Sequence, residues 1–168
     1  MIYLDESGVS TQMTRVYARA PRGRRIHDDV PGGHWKIVTI LGAMDHLGML
    51  AAMTIEAATD REIFLAYLDE VLCPKLRPGH VVVMDNLSAH KVDGVRQRIE
   101  ACGASLLYLP PYSPDLNPIE KAWSKLKQAL RAIGARSEQT LHHAVAQMLP
   151  TITPKDAAAW FRLPFAAL

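Results

Sequence analysis

Four prolines fall within nine residues of this chain, at positions 110, 111, 114 and 118. Each proline fixes φ and removes a backbone donor, so the stretch can be neither a central strand nor a helix interior. It must be a stiff loop, and its flanks say what it joins. Ser105 to Leu109 is an apolar run of strand length. From Asn117 the pattern turns helical, with Asn117 as N-cap, Pro118 at the first helical position, and Ile119, Trp123, Leu126, Leu130 and Ile133 on one face. A strand, a rigid loop and a helix therefore place Glu120 on the first helical turn. Two readings of that glutamate stand side by side. One is a capping box, Asn-x-x-Glu, in which the carboxylate returns to the N-cap amide. The other is an active-site acid fixed in space by the prolines.

Two further acids close short apolar runs. Ile2-Tyr3-Leu4 leads into Asp5, and Val81-Val82-Val83-Met84 leads into Asp85. Such runs suit buried strands that deliver a carboxylate to the C-terminal edge of a sheet, where α/β ligand sites form. Between the first two acids, Val16 to Ala18, Trp35 to Met44 and Leu47 to Ile55 read as strands, the last two joined by a tight turn after Asp45. Thr59-Asp60-Arg61-Glu62 has the form of a capping box opening a helix with Phe64, Tyr67, Leu68, Val71 and Leu72 inward. A helix over Val92 to Ala101, ending at Gly103, separates the Asp85 strand from Ser105 to Leu109. Past the proline loop, Gly134 ends one helix, Ser137 caps the next, and Thr153-Pro154 opens a last short one. The expected order is three antiparallel strands, then α-β-α-β-α-α. This is an α/β fold with a mixed sheet and helices on both faces.

A chain of 168 residues fits a single domain over 1–168 with a substantial core. Its net charge of +2 does not mark a nucleic-acid binder, but the distribution of charge does more. Six Lys or Arg lie between Arg15 and Lys36, and five lie between Lys121 and Arg136 with no acid among them. The segment from Glu56 to Glu70 runs the other way, with five acids and one Arg. Positive charge thus gathers near the acids at 5 and 120, as a polyanionic substrate requires. Cys73 and Cys102 have no metal-ligand spacing and suit a reducing compartment. Neither a leader nor a membrane-spanning run is expected from the sequence, and a cytoplasmic, nucleoid-associated location is expected.

Thirty-four residues, 86 through 119, separate Asp85 from Glu120. With Leu4-Asp5-Glu6-Ser7-Gly8, with Met84-Asp85-Asn86-Leu87-Ser88-Ala89-His90, and with Leu109 through Trp123, that spacing resembles the DDE-type transposases. Within them the chain looks like the bacterial insertion-sequence relatives of the mariner elements. The resemblance implies a ribonuclease H-like fold in which Asp5, Asp85 and Glu120 are the catalytic, metal-binding acids. It implies Mg²⁺ or Mn²⁺, two ions, with Asp5 bridging both, Asp85 binding one and Glu120 the other. The activity implied is hydrolytic cleavage at the ends of a mobile element, followed by joining of the freed 3′-hydroxyls to target DNA. Double-stranded DNA and a second copy of the chain are the implied partners. Members of the family carry DNA-recognition domains ahead of the first Asp, and these are expected to be absent here. The alternative is an inactive remnant that only associates with DNA or dimerises.

The neighbours of the acids have plainer readings. Glu6 points away from Asp5 if the strand persists. Lys121, Lys125, Lys127 and Arg131 are the candidate DNA-contacting bases, with His90 as a further contact or a local hydrogen-bonding residue. Asn86 either orients Asp85 or makes an Asx turn. Tyr112 and Asn117 shape the loop, and Trp123 belongs to the core. A phospho-acceptor receiver domain is excluded, because strands rather than a helix follow the first acid and no lysine ends the run Leu106 to Pro110.

Overall fold

The computed structural model describes residues 1–86, 93–111 and 113–162. Its centre is β1 (Ile2–Ser10), the middle strand of a five-stranded sheet ordered β3-β2-β1-β4-β5. Side chains alternate across a strand, and β1 is buried on both sides. Tyr3 and Val9 enter one core, while Ile2 and Leu4 enter the other. β2 (Ile37–Asp45) and β3 (Gly48–Ile55) pair antiparallel, joined by a tight turn in which the Asp45 carboxylate accepts from the Leu47 amide at 2.7 Å. β4 (Val81–Met84) and β5 (Ser105–Tyr108) add parallel strands on the other side of β1. The sheet is mixed, as expected.

Helices cover both faces. On one, α1 (Arg61–Tyr67), its continuation through a wider turn over Leu68–Leu72, and α2 (Val95–Ala101) bury Phe64, Tyr67, Leu68, Leu72, Val95 and Ile99. On the other, α3 (Ile119–Ile133), α4 (Glu138–Met148) and α5 (Pro154–Phe161) pack around Trp123, Leu126, Leu130, Leu141 and Val145. Gly134 closes α3 with φ +65°, a left-handed conformation that favours glycine. Ser137 and Thr153 cap α4 and α5 through reciprocal capping boxes. No described helix is long and apolar enough to cross a membrane.

Three local expectations are corrected. Val16 to Ala18 form no strand; Tyr17 is 90% exposed. The reason lies in β1, which runs on to Ser10 and itself pairs Val9 with Val38 and Ser10 with Ile37. Three residues between Arg15 and Arg19 then have no ladder left to join. Asp5 consequently lies inside a strand rather than at its end. The N-cap of α1 is Asp60, not Thr59, with the Asp60 side chain accepting from Ile63 N–H at 2.9 Å. The first helical residues expected at Val92 lie outside the described residues, and α2 is described from Val95.

Candidate active site

Asp5 and Asp85 come together through strand register. The parallel ladder pairs Ile2 with Val82, Tyr3 with Val83 and Leu4 with Met84. The next step brings Asp5 alongside Asp85, where β4 ends. There β5 turns away, its last bond running from Leu109 N–H to the Met84 carbonyl at 2.8 Å. The proline loop starts at Leu109 and forms the opposite wall. A cleft of about 300 Å³ results, lined by Asp5, Asp85, Asn86, the loop residues Leu109 to Pro111, Ser113 and Pro114, and by Asn117 and Glu120.

The capping reading of Glu120 is not what the structure contains. A tight turn over Pro114–Leu116 closes with the Asn117 amide donating to the Pro114 carbonyl at 2.9 Å, so Asn117 belongs to that turn. Pro118 takes the cap position of α3 and contributes no side-chain cap. Asn117 serves the helix through its carbonyl alone, which accepts from Glu120 N–H at 3.2 Å. Asn117 is 5% exposed, and its Oδ1 has no hydrogen-bond partner among the described residues. The expected Asn117 side-chain cap and the reciprocal bond from Glu120 are therefore both absent among those residues. Glu120 opens on the cleft instead.

The electrostatics bind the three acids into one site. Asp5 is 6% exposed. Burial first, then the charge of Glu120 and, least, that of Asp85, push its carboxyl from the ordinary 3.8 up to about 7. Two donors oppose this, the Glu6 amide and the Trp123 indole. The indole bond is direct, with Nε1 donating to Asp5 Oδ2 at 3.1 Å. Trp123 is core, as its spacing indicates, but its polar edge belongs to the site. The signal was available in the sequence: a buried tryptophan needs a partner for its N–H.

A cleft walled by carboxylates and an amide offers hard oxygen donors, which suit Mg²⁺ or Mn²⁺. Among the described residues no three His, Cys, Asp or Glu side chains gather tightly enough to encircle one ion. Mg²⁺ needs no such closed group of protein ligands, since it is held by one or two carboxylates and takes its remaining ligands from water and phosphate.

The candidate DNA-contacting bases separate. Lys121 is exposed beside Glu120 and borders a neighbouring groove with Trp160. Arg131 lines another groove with Arg15, Val16 and Tyr17. Lys127 is half-buried on α3. Lys125 is engaged within the fold, its Nζ 2.6 Å from Asp156 and 2.8 Å from the Thr151 carbonyl. That ammonium and the Thr153 hydroxyl and amide hold the Asp156 carboxyl well below the usual carboxylate range, so the pair ties α5 to α3. His90 and Tyr112 lie outside the described residues.

The sequence model of the DDE superfamily endonucleases matches residues 1–142. Among solved structures, the chain is similar to the Mos1 transposase paired-end complex with left transposon end, at 18% identity and a TM-score of 0.73. It is similar also to the mariner Mos1 paired-end complex with Mg, at 19% identity and a TM-score of 0.69. Both likenesses cover 98% of this chain and 52% of the other. The catalytic domain of Mos1 mariner transposase matches at 15% identity with a TM-score of 0.65, covering 98% of this chain and 76% of that one. The chain thus spans about half the length of the transposase chains in the paired-end complexes, and its ribonuclease H-like fold is theirs. No curated protein sequence matches it.

Proposed function

Because the chain belongs to the DDE superfamily of endonucleases, we propose that it is the catalytic domain of a transposase, cleaving and joining DNA at the ends of a mobile element. The observation that carries the reading is the meeting of Asp5, Asp85 and Glu120, from two strands and a helix, around one cleft. The rise of the Asp5 carboxyl, caused first by burial and then by the charges of Glu120 and Asp85, adds to it, because a buried acid facing other acids is relieved by positive charge. Asp5, Asp85 and Glu120 would together hold the metal. Two divalent ions, Mg²⁺ or Mn²⁺, would there activate water and neutralise the attacking and leaving oxygens of a phosphodiester. The residues themselves supply geometry. The strand register sets the distance from Asp5 to Asp85, and the proline loop with its tight turn sets that of Glu120. An intact set of acids gives the inactive-remnant alternative no support.

The metal assignment has a direct test. Mg²⁺ or Mn²⁺ is expected to raise the melting temperature of the wild-type chain, since a ligand that binds only the folded state stabilises it by mass action. Asp85→Asn is expected to lose most of that rise. Equal shifts in the two proteins, followed by calorimetry, would remove the assignment.

DNA is the proposed substrate, met by Lys121, Lys127 and Arg131 on and beside the helix that carries Glu120. Lys125 is left with a structural part. A second copy of the chain in the active complex is part of the same proposal. Contacts of basic side chains to phosphate release counterions, and each contributes about 0.9 to the slope of log affinity against log salt. Replacing Lys127 and Arg131 by alanine is expected to flatten that slope by about one to two units, with little dependence on sequence. An unchanged slope would return this face to ordinary solvated surface.

A further inference from the structure

We propose that Trp123 is a positioning residue for Asp5, and that Gly42 is the clearance that lets it act. The inference rests on the metal-site reading above. Asp5 pairs across the β1–β2 ladder with Gly42. A Cβ at position 42 would lie 2.4 Å from Cη2 and 3.0 Å from Cζ2 of Trp123, and 2.9 Å from Cε of Met49. The indole therefore lies over the gap that the missing side chain leaves. Its N–H donates from there to Oδ2 of Asp5, the residue opposite. Glycine is required at this position for space, to admit a buried ring 2% exposed to solvent.

Two consequences follow for the acids. The χ2 torsion of an aspartate is broad and roughly two-fold, so a lone carboxylate can present either oxygen to a ligand. The indole bond occupies one lone pair of Oδ2, fixing which oxygen faces the helix and leaving Oδ1 uncommitted by that bond. Trp123 also follows Glu120 by three residues on α3, so the two are neighbours along one side of the helix. The bond that orients Asp5 thus also fastens the helix carrying Glu120 to the strand carrying Asp5. The indole bond thus acts with the proline loop in setting the separation of two acids from distant parts of the chain.

Partners that orient metal ligands are worth about 10–100-fold in metal affinity. Trp123→Phe keeps an aromatic ring and loses the N–H, and it is expected to weaken Mg²⁺ binding by about that factor in calorimetric titration. Gly42→Ala, which displaces the indole, is expected to weaken binding comparably in the wild-type background. Added to Trp123→Phe it is expected to do little more, because the shorter phenyl ring no longer reaches the gap; such non-additivity marks residues in contact. The metal-free chain provides a separate reading through the Trp123 indole N–H resonance, identified as the one that remains when Trp35→Phe and Trp160→Phe remove the other two. Asp5→Asn is expected to move that resonance much further than Asp85→Asn does. A Trp123→Phe chain that binds Mg²⁺ like wild type would overturn the proposal. So would an indole resonance that ignores Asp5→Asn, and this measurement decides even if Trp123→Phe fails to fold. A wild-type chain that binds no divalent ion, with the resonance behaving as stated, would overturn the metal-site reading while leaving the indole–carboxylate contact in place.

Discussion

Asp5→Asn is expected to stabilise the metal-free protein at neutral and alkaline pH while reducing metal-dependent DNA cleavage by orders of magnitude. The two effects share one cause. In the fold the Asp5 carboxyl ionises only at about 7, against 3.8 ordinarily, because it is buried and faces Glu120 and Asp85. A group whose folded value is raised gives stability that is fully present below the unfolded value and is lost as pH rises through the folded one. Asp5 thus favours the metal-free fold below about pH 4 and weakens it progressively up to about pH 7. Asparagine stays neutral throughout and carries no such loss. Each pKa unit is worth about 1.4 kcal/mol, so Asp5→Asn gains a few kcal/mol over wild type on going from about pH 5 to about pH 8. Denaturant melts of both proteins at the two pH values measure it. A stability difference that does not change with pH would mean that Asp5 is an ordinary exposed acid. Divalent metal reverses the ranking at neutral pH, since the charge that strains the empty fold is the charge the ion requires.

The three candidate acids were legible because each adjoins a short, recognisable pattern: two apolar runs and one proline-braced helix start. The fold class followed from the same patterns, since the strands read as buried and the helices as one-sided stripes. Register was not legible. Nothing in Ile2 to Asp5 alone reveals that Leu4 pairs with Met84, and that pairing is what sets Asp5 beside Asp85. The false strand at Val16 to Ala18 has the same origin. Its residues favour extended backbone, but β1 and β2 had already satisfied one another as far as Ser10 and Ile37. Asn117 failed as a cap because the turn at Pro114–Leu116 competed for it, a choice between two local bonds that the residue type does not decide. Trp123 was placed in the core by periodicity, and periodicity says nothing about where the indole N–H points. Gly42 offers even less, for a glycine inside a strand marks close approach without naming what approaches.

Glu120→Gln separates the structural from the chemical role of the helix-borne acid. Pro118 caps α3 without a side chain, and Glu120 makes no capping-box return to Asn117 among the described residues, so glutamine removes no bond of that kind. What stability it loses is the interaction of a first-turn carboxylate with the helix dipole, about 0.3–1 kcal/mol. Against this, Glu120 is the largest charge contribution raising the Asp5 carboxyl, and neutralising it relieves that repulsion. The metal-free chain is therefore expected to be as stable as wild type or more so, with the Asp5 carboxyl moved back toward its ordinary value; carboxyl resonances followed through a pH titration report the shift. The same substitution takes away the only acid that α3 brings to the cleft. Metal-dependent nicking or strand transfer is expected to fall by orders of magnitude, on a pre-nicked substrate with Mn²⁺ so that activity does not depend on recognition of element ends. A Glu120→Gln chain that stays active where wild type is active would remove Glu120 from the chemistry. The third carboxylate would then have to come from Asp115, exposed in the same loop and lining the neighbouring groove with Lys121.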